Sequence, residues 1–266
     1  MHKAFFYSLL AVLVALATYG SAFPEREGEG ETVTILFIGN SLISANNLPA
    51  MVAAIAGSHG HDVTYNAVTP GGARLLHHAA SGEVARKLGE QSWDYVVLQE
   101  QSQYPGFAAQ QLTTDVYPYA AQLVEAAREA NPDTGVVFYM AMTHRDGDPA
   151  NSHIAAELRT FEGAQKRVNK AYLKMAQANS TLVAPVGEAW RAVRRAHPEI
   201  NLYGDNTHPN PTGTYLAACV FYATLFQSPC TGAATPEQVS QPDAETLQQT
   251  ADAVVLNPGS NWDWRE

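Results

Sequence analysis

Three residues of this chain have the side chains that serine chemistry needs: a hydroxyl nucleophile, a base and a carboxylate that orients the base. Ser41 follows an apolar, β-branched run over residues 34–38 that ends at a Gly-Asn pair. Asp205 and His208 lie three residues apart near the other end of the chain. A serine hydroxyl is a weak nucleophile until a base removes its proton, and a carboxylate often orients that base. The three residues are therefore candidates for serine-based acyl transfer.

Each of these stretches also has a purely structural interpretation. A Gly-Asn-Ser sequence between a strand and a helix is typical of a helix cap, in which Asn40 or Ser41 accepts a backbone hydrogen bond. The sequence from Asp205 to His208 is also typical of a polar turn before a proline-started helix. Position in the fold favours the chemical interpretation, because open α/β sheets place their sites at the carboxyl ends of strands.

Five predicted strands alternate with segments of helical periodicity. The predicted strands cover residues 33–38, 61–68, 94–99, 135–140 and 181–186. The predicted helices cover about 47–58, 81–90, 110–130, 155–178, 187–197 and 211–226, followed by one or two short helices within 235–256. Each connection is long enough for a crossover, which favours an α/β fold with a parallel sheet covered by helices on both faces. No glycine-rich phosphate loop follows the first strand.

Composition excludes several classes of protein. The chain has 266 residues, 46% of them hydrophobic and 16% charged, which suits one globular domain with a substantial core. Its formal net charge of −10 and its lack of a Lys/Arg cluster argue against binding to nucleic acid or to an anionic membrane surface. No Cys/His spacing is typical of a zinc site. A bridge between Cys219 and Cys230 would require the chain to fold straight back.

The N-terminal residues have the pattern of a secretory signal peptide. A weakly basic start precedes an apolar core over residues 4–18, and Gly20-Ser21-Ala22 supplies small residues for cleavage. The alternative is a membrane anchor, but the apolar run is short for one. We expect a secreted or periplasmic protein with no membrane span in the mature chain. The expected organisation is a signal peptide 1–22, a flexible lead-in 23–31, the main domain 32–232 and a peripheral segment 233–266.

Four blocks of the sequence resemble those of the SGNH, or GDSL-like, hydrolase superfamily. They are Phe37-Ile38-Gly39-Asn40-Ser41-Leu42, Asn66-Ala67-Val68-Thr69-Pro70-Gly71, the stretch from Trp93 to Gln103, and Asp205-Asn206-Thr207-His208-Pro209 followed by Gly213. The resemblance covers about residues 33–226. It implies a flavodoxin-like, three-layer α/β/α sandwich with about five parallel strands. It also implies a serine esterase that forms an acyl-enzyme and needs no metal or organic cofactor, with Ser41, Asp205 and His208 as its catalytic residues.

Two departures from the family pattern affect the candidate site. Asn40 stands where the family has Asp, and we expect this change to alter the hydrogen bonds of the turn without removing the nucleophile. The third block lacks the family's Gly-x-Asn-Asp, whose Asn side chain donates to the oxyanion. The resemblance supplies the other two oxyanion donors, the backbone N–H groups of Ser41 and Gly71.

Glutamines at the end of the third predicted strand are candidates for the missing donor. On a strand, Gln99, Gln101 and Gln103 would share one face, and a glutamine amide donates as an asparagine amide does. We favour Gln101, with Gln103 as the runner-up. Gln101 lies two residues before Gln103, but a glutamine side chain is longer than that of the family's Asn and could reach the point from which that Asn donates. The structural alternative is that these residues satisfy the backbone of the loop.

Loops after the other strands supply candidate pocket residues. His144 and Arg145 follow the fourth predicted strand, and Arg145 could hold a carboxylate or an acidic sugar. His77 and His78 follow the second block and could also line a pocket. Export and polar loops favour a small-molecule or polysaccharide ester as substrate, with acetyl groups on carbohydrates as the first expectation. The alternatives are a lipase, thioesterase or acyltransferase with the same residues, and a non-catalytic binding module.

Overall fold

Five short strands form a central parallel sheet. They are β1 (Val33–Ile38), β2 (Val63–Val68), β3 (Tyr95–Leu98), β4 (Gly135–Tyr139) and β5 (Leu182–Ala184). Their order is β2-β1-β3-β4-β5, with Ile38 paired to Val68 on one side and to Leu98 on the other. The computed structural model describes residues 32–257, so the predicted signal peptide and lead-in lie outside the described residues.

Within residues 32–257, ten α-helices connect and cover the strands. They are α1 (Ser41–Ser44), α2 (Leu48–Ser58), α3 (Leu75–Ala79), α4 (Gly82–Leu88), α5 (Ala109–Asp115), α6 (Tyr117–Ala130), α7 (Phe161–Asn179), α8 (Val186–Ala196), α9 (Pro211–Phe226) and α10 (Gln241–Leu256). Short 3₁₀ turns cover Ala45–Asn47, Tyr104–Gly106, Pro149–Asn151 and Ala156–Arg159. None of the helices within residues 32–257 is long and apolar enough to cross a membrane.

Most predicted elements are present, but α1 and α3 were not predicted, and three predicted helical regions differ from the structure. The helix predicted over 110–130 is divided into α5 and α6, because the backbone of Val116 is not helical and Pro118 starts a new first turn. The helix predicted from residue 155 begins only at Phe161, after a 3₁₀ turn. The C-terminal region holds a single 16-residue helix, α10, where one or two short helices were expected.

Two hydrophobic cores lie on opposite faces of the sheet. Successive β1 side chains alternate between them, so that Phe37 faces the core of α2, α8, α9 and α10, and Ile38 faces the core of α3 to α7. The ring of Phe221 on α9 meets those of Phe37 and Tyr139 edge to face, with centroids 5.8 and 5.2 Å away. The predicted three-layer α/β/α fold is thus confirmed.

Helix α9 is the most enclosed element of the first core. Every residue from Gly213 to Leu225 is buried, because α10 covers the side of α9 that faces away from the sheet. Helix α10 contributes Ala244, Leu247 and Ala251 to the same core. Residues from the C-terminal region therefore help to bury the helix that begins three residues after His208.

The two cysteines lie beside each other in this core. Cys219 on α9 and Cys230 beyond it are both buried, and neither is in a disulfide. Burial, and secondarily a hydrogen bond with the Cys230 thiol, raises the pKa of the Cys219 thiol. The chain after α9 therefore does fold straight back, as a bridge between the two residues would require.

We predict that alanine at Gly213 destabilises the protein. A Cβ there would lie 2.2 Å from the Leu202 carbonyl oxygen and 2.3 Å from Cη2 of Trp190. Overpacking of this kind should lower the free energy of unfolding by about 1–3 kcal/mol in urea denaturation. The control is Gly57→Ala in α2, where nothing lies within 4 Å of an added Cβ. That change should be stabilising by about 0.5–1 kcal/mol, and equal effects at the two sites would contradict the prediction.

Candidate active site

Asn40 fixes the turn that leads from β1 into α1. Its Oδ1 accepts the Leu42 N–H at 3.1 Å and caps the short helix, while its Nδ2 donates to the Ala73 carbonyl at 2.9 Å. Its backbone N–H donates to Gln99 Oε1 at 2.9 Å. The residue is 2% exposed. The departure from the family Asp therefore adds a donor, since an ionised carboxylate could not bond to the Ala73 carbonyl.

Gly39 allows a close approach of Gln99 beneath the turn. A Cβ at Gly39 would lie 2.5 Å from Gln99 Oε1, so the position requires glycine for space. His78 supports the same turn from another side, because its Nε2 donates to the Gly39 carbonyl at 2.7 Å. Burial lowers the pKa of His78, although the bond to Gly39 opposes the shift. His78 is thus a buried neutral support of the turn, and the expectation that it lines a pocket is wrong.

Ser41 and His208 are in direct contact across 167 positions of sequence. Ser41 Oγ lies 2.9 Å from His208 Nε2, and His208 Nδ1 lies 2.9 Å from Asp205 Oδ2. A carboxylate only accepts hydrogen bonds, so Nδ1 carries the ring proton. The opposite nitrogen is then free to accept from the serine hydroxyl. The structure brings the three predicted residues together in the order hydroxyl, imidazole and carboxylate.

The Asp205 carboxylate is held by three donors although its side chain is 60% exposed. Its Oδ1 accepts the N–H groups of His208 and Thr207, each at 2.6 Å, and its Oδ2 accepts the imidazole. The backbone N–H of His208, the imidazole and the backbone N–H of Thr207 hold the pKa of Asp205 well below its usual range. The carboxylate therefore stays ionised in mildly acidic solution and keeps the imidazole ring oriented.

The loop that carries Asp205 and His208 is closed at its base. An antiparallel bridge joins Tyr203 to Pro209, and the Gly204 N–H donates to the His208 carbonyl at 2.9 Å. Asn46, which follows α1, donates from Nδ2 to the Pro209 carbonyl at 3.0 Å. These bonds fix the nucleophile segment and the base segment relative to each other.

The third block forms a turn. Strand β3 ends at Leu98, so the expectation that the three glutamines share one strand face is wrong. Gln99 is fully buried under the Ser41 turn. The Gln103 N–H donates to Gln101 Oε1 at 2.9 Å, and Gln101 Nε2 donates to Gln103 Oε1 at 3.3 Å. Gln103 Nε2 in turn donates to the buried Asp148 at 3.1 Å.

Gly71 lies in the exposed turn after β2. The Ala73 N–H closes this turn by donating to the Pro70 carbonyl at 3.1 Å, and Gly72 adopts a left-handed conformation with φ of 68°. Because Ala73 also accepts the Asn40 side chain, Gly71 lies two residues from a direct contact with the Ser41 turn. Ser41, Gly71 and Gln101 thus belong to three segments joined by Asn40 and by Gln99.

The loop after β4 lies beside the Asp205–His208 loop. The Arg145 N–H donates to the Asn206 carbonyl at 2.8 Å. His144 Nε2 lies 3.4 Å from Ser102 Oγ, and burial lowers its pKa against the opposing charges of Asp148 and Asp205. Arg145 lines a cavity of about 240 Å³ with Arg194, Pro198, Ile200, Asn201, Leu202 and Tyr203.

Gln165 on α7 holds this loop from below. Its Oε1 accepts the Thr143 N–H at 2.7 Å, and its Nε2 donates to the Ala141 carbonyl at 3.0 Å. Within residues 32–257, no three His, Cys, Asp or Glu side chains are grouped so that they could hold a metal ion. The chemistry available at this edge of the sheet is that of a hydroxyl, an imidazole, a carboxylate and amide donors.

Comparison with known proteins finds a similarity to one superfamily. No protein-family model matches the sequence, and no curated protein matches it. Among solved structures, a candidate SGNH hydrolase from Slackia heliotrinireducens is 29% identical, with a TM-score of 0.58 over 73% of this chain and 100% of the other. The resemblance to the SGNH superfamily is confirmed.

Two further solved structures share the SGNH-type fold at lower identity. A DUF4886 family protein from Bacteroides uniformis is 18% identical, with a TM-score of 0.73 over 86% of this chain and 96% of the other. A variant of an acetyl-xylooligosaccharide esterase from Geobacillus is 16% identical, with a TM-score of 0.53 over 76% of this chain and 96% of the other. These similarities show the fold alone.

Sequence reasoning missed several residues that support the SGNH site. Gln99 appeared only as one of three glutamines, His78 as a pocket residue, and Asn46 not at all. Each acts through a contact with a distant segment, namely with Asn40, Gly39 and Pro209. No local sequence pattern predicts such contacts. The available signal is a polar residue next to one of the blocks that resemble the SGNH superfamily.

We predict that Asn40→Asp, which restores the family residue, destabilises this chain at neutral pH. The aspartate keeps the cap on Leu42 but places a buried charge against the Ala73 carbonyl. The free energy of unfolding should fall by about 1–3 kcal/mol. The loss should shrink as the pH falls, because a protonated carboxyl can donate to Ala73. Urea denaturation at several pH values tests this, and wild-type stability at pH 7 would contradict it.

Proposed function

We propose that the chain is a serine ester hydrolase that works through an acyl-enzyme. The observation that carries the proposal is the 2.9 Å contact between Ser41 Oγ and His208 Nε2, with Asp205 on the other ring nitrogen. This arrangement lets the imidazole take the hydroxyl proton as the oxygen attacks. A structural helix cap or a polar turn alone would not require that contact.

The reaction follows from the roles of these three groups. Ser41 Oγ attacks the ester carbonyl while His208 Nε2 takes its proton, and the Asp205 carboxylate stabilises the resulting imidazolium. The C–O bond to the alcohol then breaks, and the alcohol leaves with the proton from His208. A water molecule attacks the acyl-enzyme with His208 again as base, which releases the acid and restores Ser41.

The oxyanion is assigned to the backbone N–H groups of Ser41 and Gly71 and to the side-chain amide of Gln101. The bonds of the glutamines support Gln101 over Gln103. Gln103 Nε2 donates to the buried Asp148, which directs that amide away, whereas Gln101 Nε2 makes a long bond of 3.3 Å. The Gln103 N–H also fixes the orientation of the Gln101 amide by donating to its oxygen.

The substrate we propose is a small acyl ester, such as acetyl, on a carbohydrate. Polar side chains support this proposal, because Gln101, Gln103, His144 and Arg145 lie in the loops next to the reacting groups. Arg145, at the rim of its cavity, is suited to a carboxylate of an acidic sugar. An acetyl-xylooligosaccharide esterase of the same fold provides a precedent for this substrate class.

The proposed function includes an extracytoplasmic location. The pattern of residues 1–22 supports export and removal of a signal peptide, so that the mature protein starts near Phe23 and begins with the lead-in of residues 23–31. The hydrolase domain is proposed to cover 32–232, with 233–266 as a C-terminal segment. Helix α10 within that segment packs against α9.

A panel of acyl esters measured on wild type and Ser41→Ala tests the proposal. The panel should include acetylated xylo-oligosaccharides, p-nitrophenyl esters of increasing chain length and an acyl thioester. Faster hydrolysis of acetyl sugars than of long-chain esters or thioesters supports the carbohydrate esterase. A preference for long chains would identify a lipase, and failure of a serine-directed phosphonate to label Ser41 would identify a binding module.

We predict that Ser41→Ala and His208→Ala each lower kcat by roughly 10⁴- to 10⁶-fold, and that the double change costs little more. The two groups act as one unit, so removing either removes the proton transfer. Asp205→Asn should lower kcat by about 10⁴-fold, because it favours the wrong imidazole tautomer. The control is Ser44→Ala at the exposed end of α1, which should retain wild-type activity. Multiplicative losses in the double variant would contradict the shared role.

We predict that Gln101→Ala lowers kcat by roughly 10²-fold with little change in KM, because the donor acts on charge that develops in the transition state. Gln101→Glu should be at least as damaging, since a carboxylate repels the oxyanion. Gln103→Ala is the comparison. A severe loss in that variant with a near-normal Gln101→Ala would move the donor to Gln103, and no loss in either would show that other groups hold the oxyanion.

A further inference from the structure

A buried carboxylate, which the proposed mechanism does not use, joins two segments of the site. Glu100 lies between the buried Gln99 and the candidate donor Gln101, and its side chain is fully buried. One carboxylate oxygen, Oε1, accepts the Gln101 N–H at 2.6 Å. The backbone N–H of Leu75 also lowers the pKa of this carboxyl. Leu75 starts α3, four residues after Gly71, so Glu100 connects the segments of two candidate oxyanion donors.

The partner of this carboxylate is Arg74, in the same segment as Gly71. Arg74 Nε lies 3.9 Å from Glu100 Oε1. The guanidinium is fixed by two further contacts, since it lies 3.4 Å from the centroid of the Tyr104 ring and donates from Nη2 to the Asp115 carbonyl at 2.8 Å. Tyr104 follows Gln103, so the cation also contacts the residue that comes directly after the third block.

The ion pair between Glu100 and Arg74 is incompletely hydrogen-bonded. Among the residues that the structure describes, neither Glu100 Oε2 nor Arg74 Nε has a hydrogen-bond partner, and both atoms are buried. The Glu100 N–H donates to the Tyr172 hydroxyl at 3.1 Å, which is a neutral group. The ionised form of a buried carboxyl with one distant cation and few hydrogen-bond donors is less stabilised than that of a fully paired one. Such a carboxyl is therefore protonated more readily.

We propose that Glu100 is a positioning residue whose ionised form, paired with Arg74, holds the Gly71 and Gln101 segments at the separation that the oxyanion requires. This inference rests on the proposed esterase function. Protonation of Glu100 removes the attraction for Arg74 and weakens the charge-assisted bond from the Gln101 N–H. The two segments are then less firmly joined, and the transition state loses stabilisation although Ser41, His208 and Asp205 are unchanged.

The surroundings of Glu100 place this protonation near neutral pH. Burial raises the pKa of the Glu100 carboxyl to about 7, against the lowering effects of the Gln101 N–H, the Arg74 charge and the Leu75 N–H. The groups that face it from the packed elements are Arg74 before α3 and the neutral hydroxyl of Tyr172 on α7. As the pH decreases, kcat should therefore fall through two protonations, one of Glu100 and one of the catalytic base.

The test is the pH dependence of kcat on an acetyl ester for wild type, Glu100→Gln and Arg74→Gln. Glu100→Gln mimics the protonated form and should lower kcat at pH 8 by roughly 10- to 100-fold, with little change in KM. It should also reduce the acid limb to a single ionisation. Arg74→Gln leaves the carboxyl in place without its cation, so the limb should move to higher pH. The matched control is Glu125→Gln, which removes an exposed carboxylate on α6 and should leave kcat and the limb unchanged.

A measurement without substrate tests the same titration. The carboxyl binds its proton more tightly in the folded than in the unfolded chain, so its contribution to stability is fully present below its unfolded pKa and is lost as the pH rises through about 7. The Tm of wild type minus that of Glu100→Gln should fall between pH 5 and 8, and the difference for Glu125→Gln should not.

The outcomes separate this inference from the function on which it rests. If the wild type hydrolyses esters, and Glu100→Gln and Arg74→Gln have the same kcat and the same acid limb as the wild type, the role of Glu100 alone is overturned. Wild type that hydrolyses no ester and is not labelled at Ser41 overturns the proposed function and this inference with it. If Glu100→Gln fails to fold, the direction in which Arg74→Gln moves the limb decides, and no movement or a movement to lower pH overturns the inference.

Discussion

The hydrogen bonds of Asn40 connect the parts of this molecule that must act together. One buried side chain caps α1 at Leu42 and donates to the Ala73 carbonyl, and its backbone N–H bonds to Gln99. Those partners lie on three separate segments, which follow β1, β2 and β3. A polar residue that is 2% exposed is stable only when its groups are paired, so the three segments are held in one arrangement. The position of Ser41 follows from that arrangement.

The same logic extends to the other side of the site. Asn46, which follows the Ser41 helix, donates a hydrogen bond to the Pro209 carbonyl. The bridge between Tyr203 and Pro209 closes the loop that contains His208. The sheet supplies the common edge, but the separation between Ser41 and His208 is set by these polar contacts. Small residues make the arrangement possible, because Gly39 and Gly213 leave the space that Gln99 and Leu202 occupy.

The sequence predicted the fold well because its signal is local. Strand β1 is a mostly apolar run followed by a glycine, so it could be placed to the residue over Val33–Ile38. The three residues Ser41, Asp205 and His208 could be named because two motifs at opposite ends of the chain match one chemistry. The third block was harder, since nothing local shows that β3 stops at Leu98 and that Gln99 turns inward. The supporting contacts of His78 and Glu100 depend on tertiary packing and could not be predicted.

The order of these segments along the chain determines when the reacting groups can first meet. Ser41 follows the first strand to be synthesised, whereas His208 immediately precedes α9, which is buried along most of its length by the sheet and by α10. A partly synthesised chain that ends before residue 208 contains the hydroxyl but not its base. The contact between them closes a loop of 167 residues, and the entropy cost of closing so long a loop favours more local contacts first. A chain that ends before residue 208 therefore lacks the imidazole that could activate the Ser41 hydroxyl.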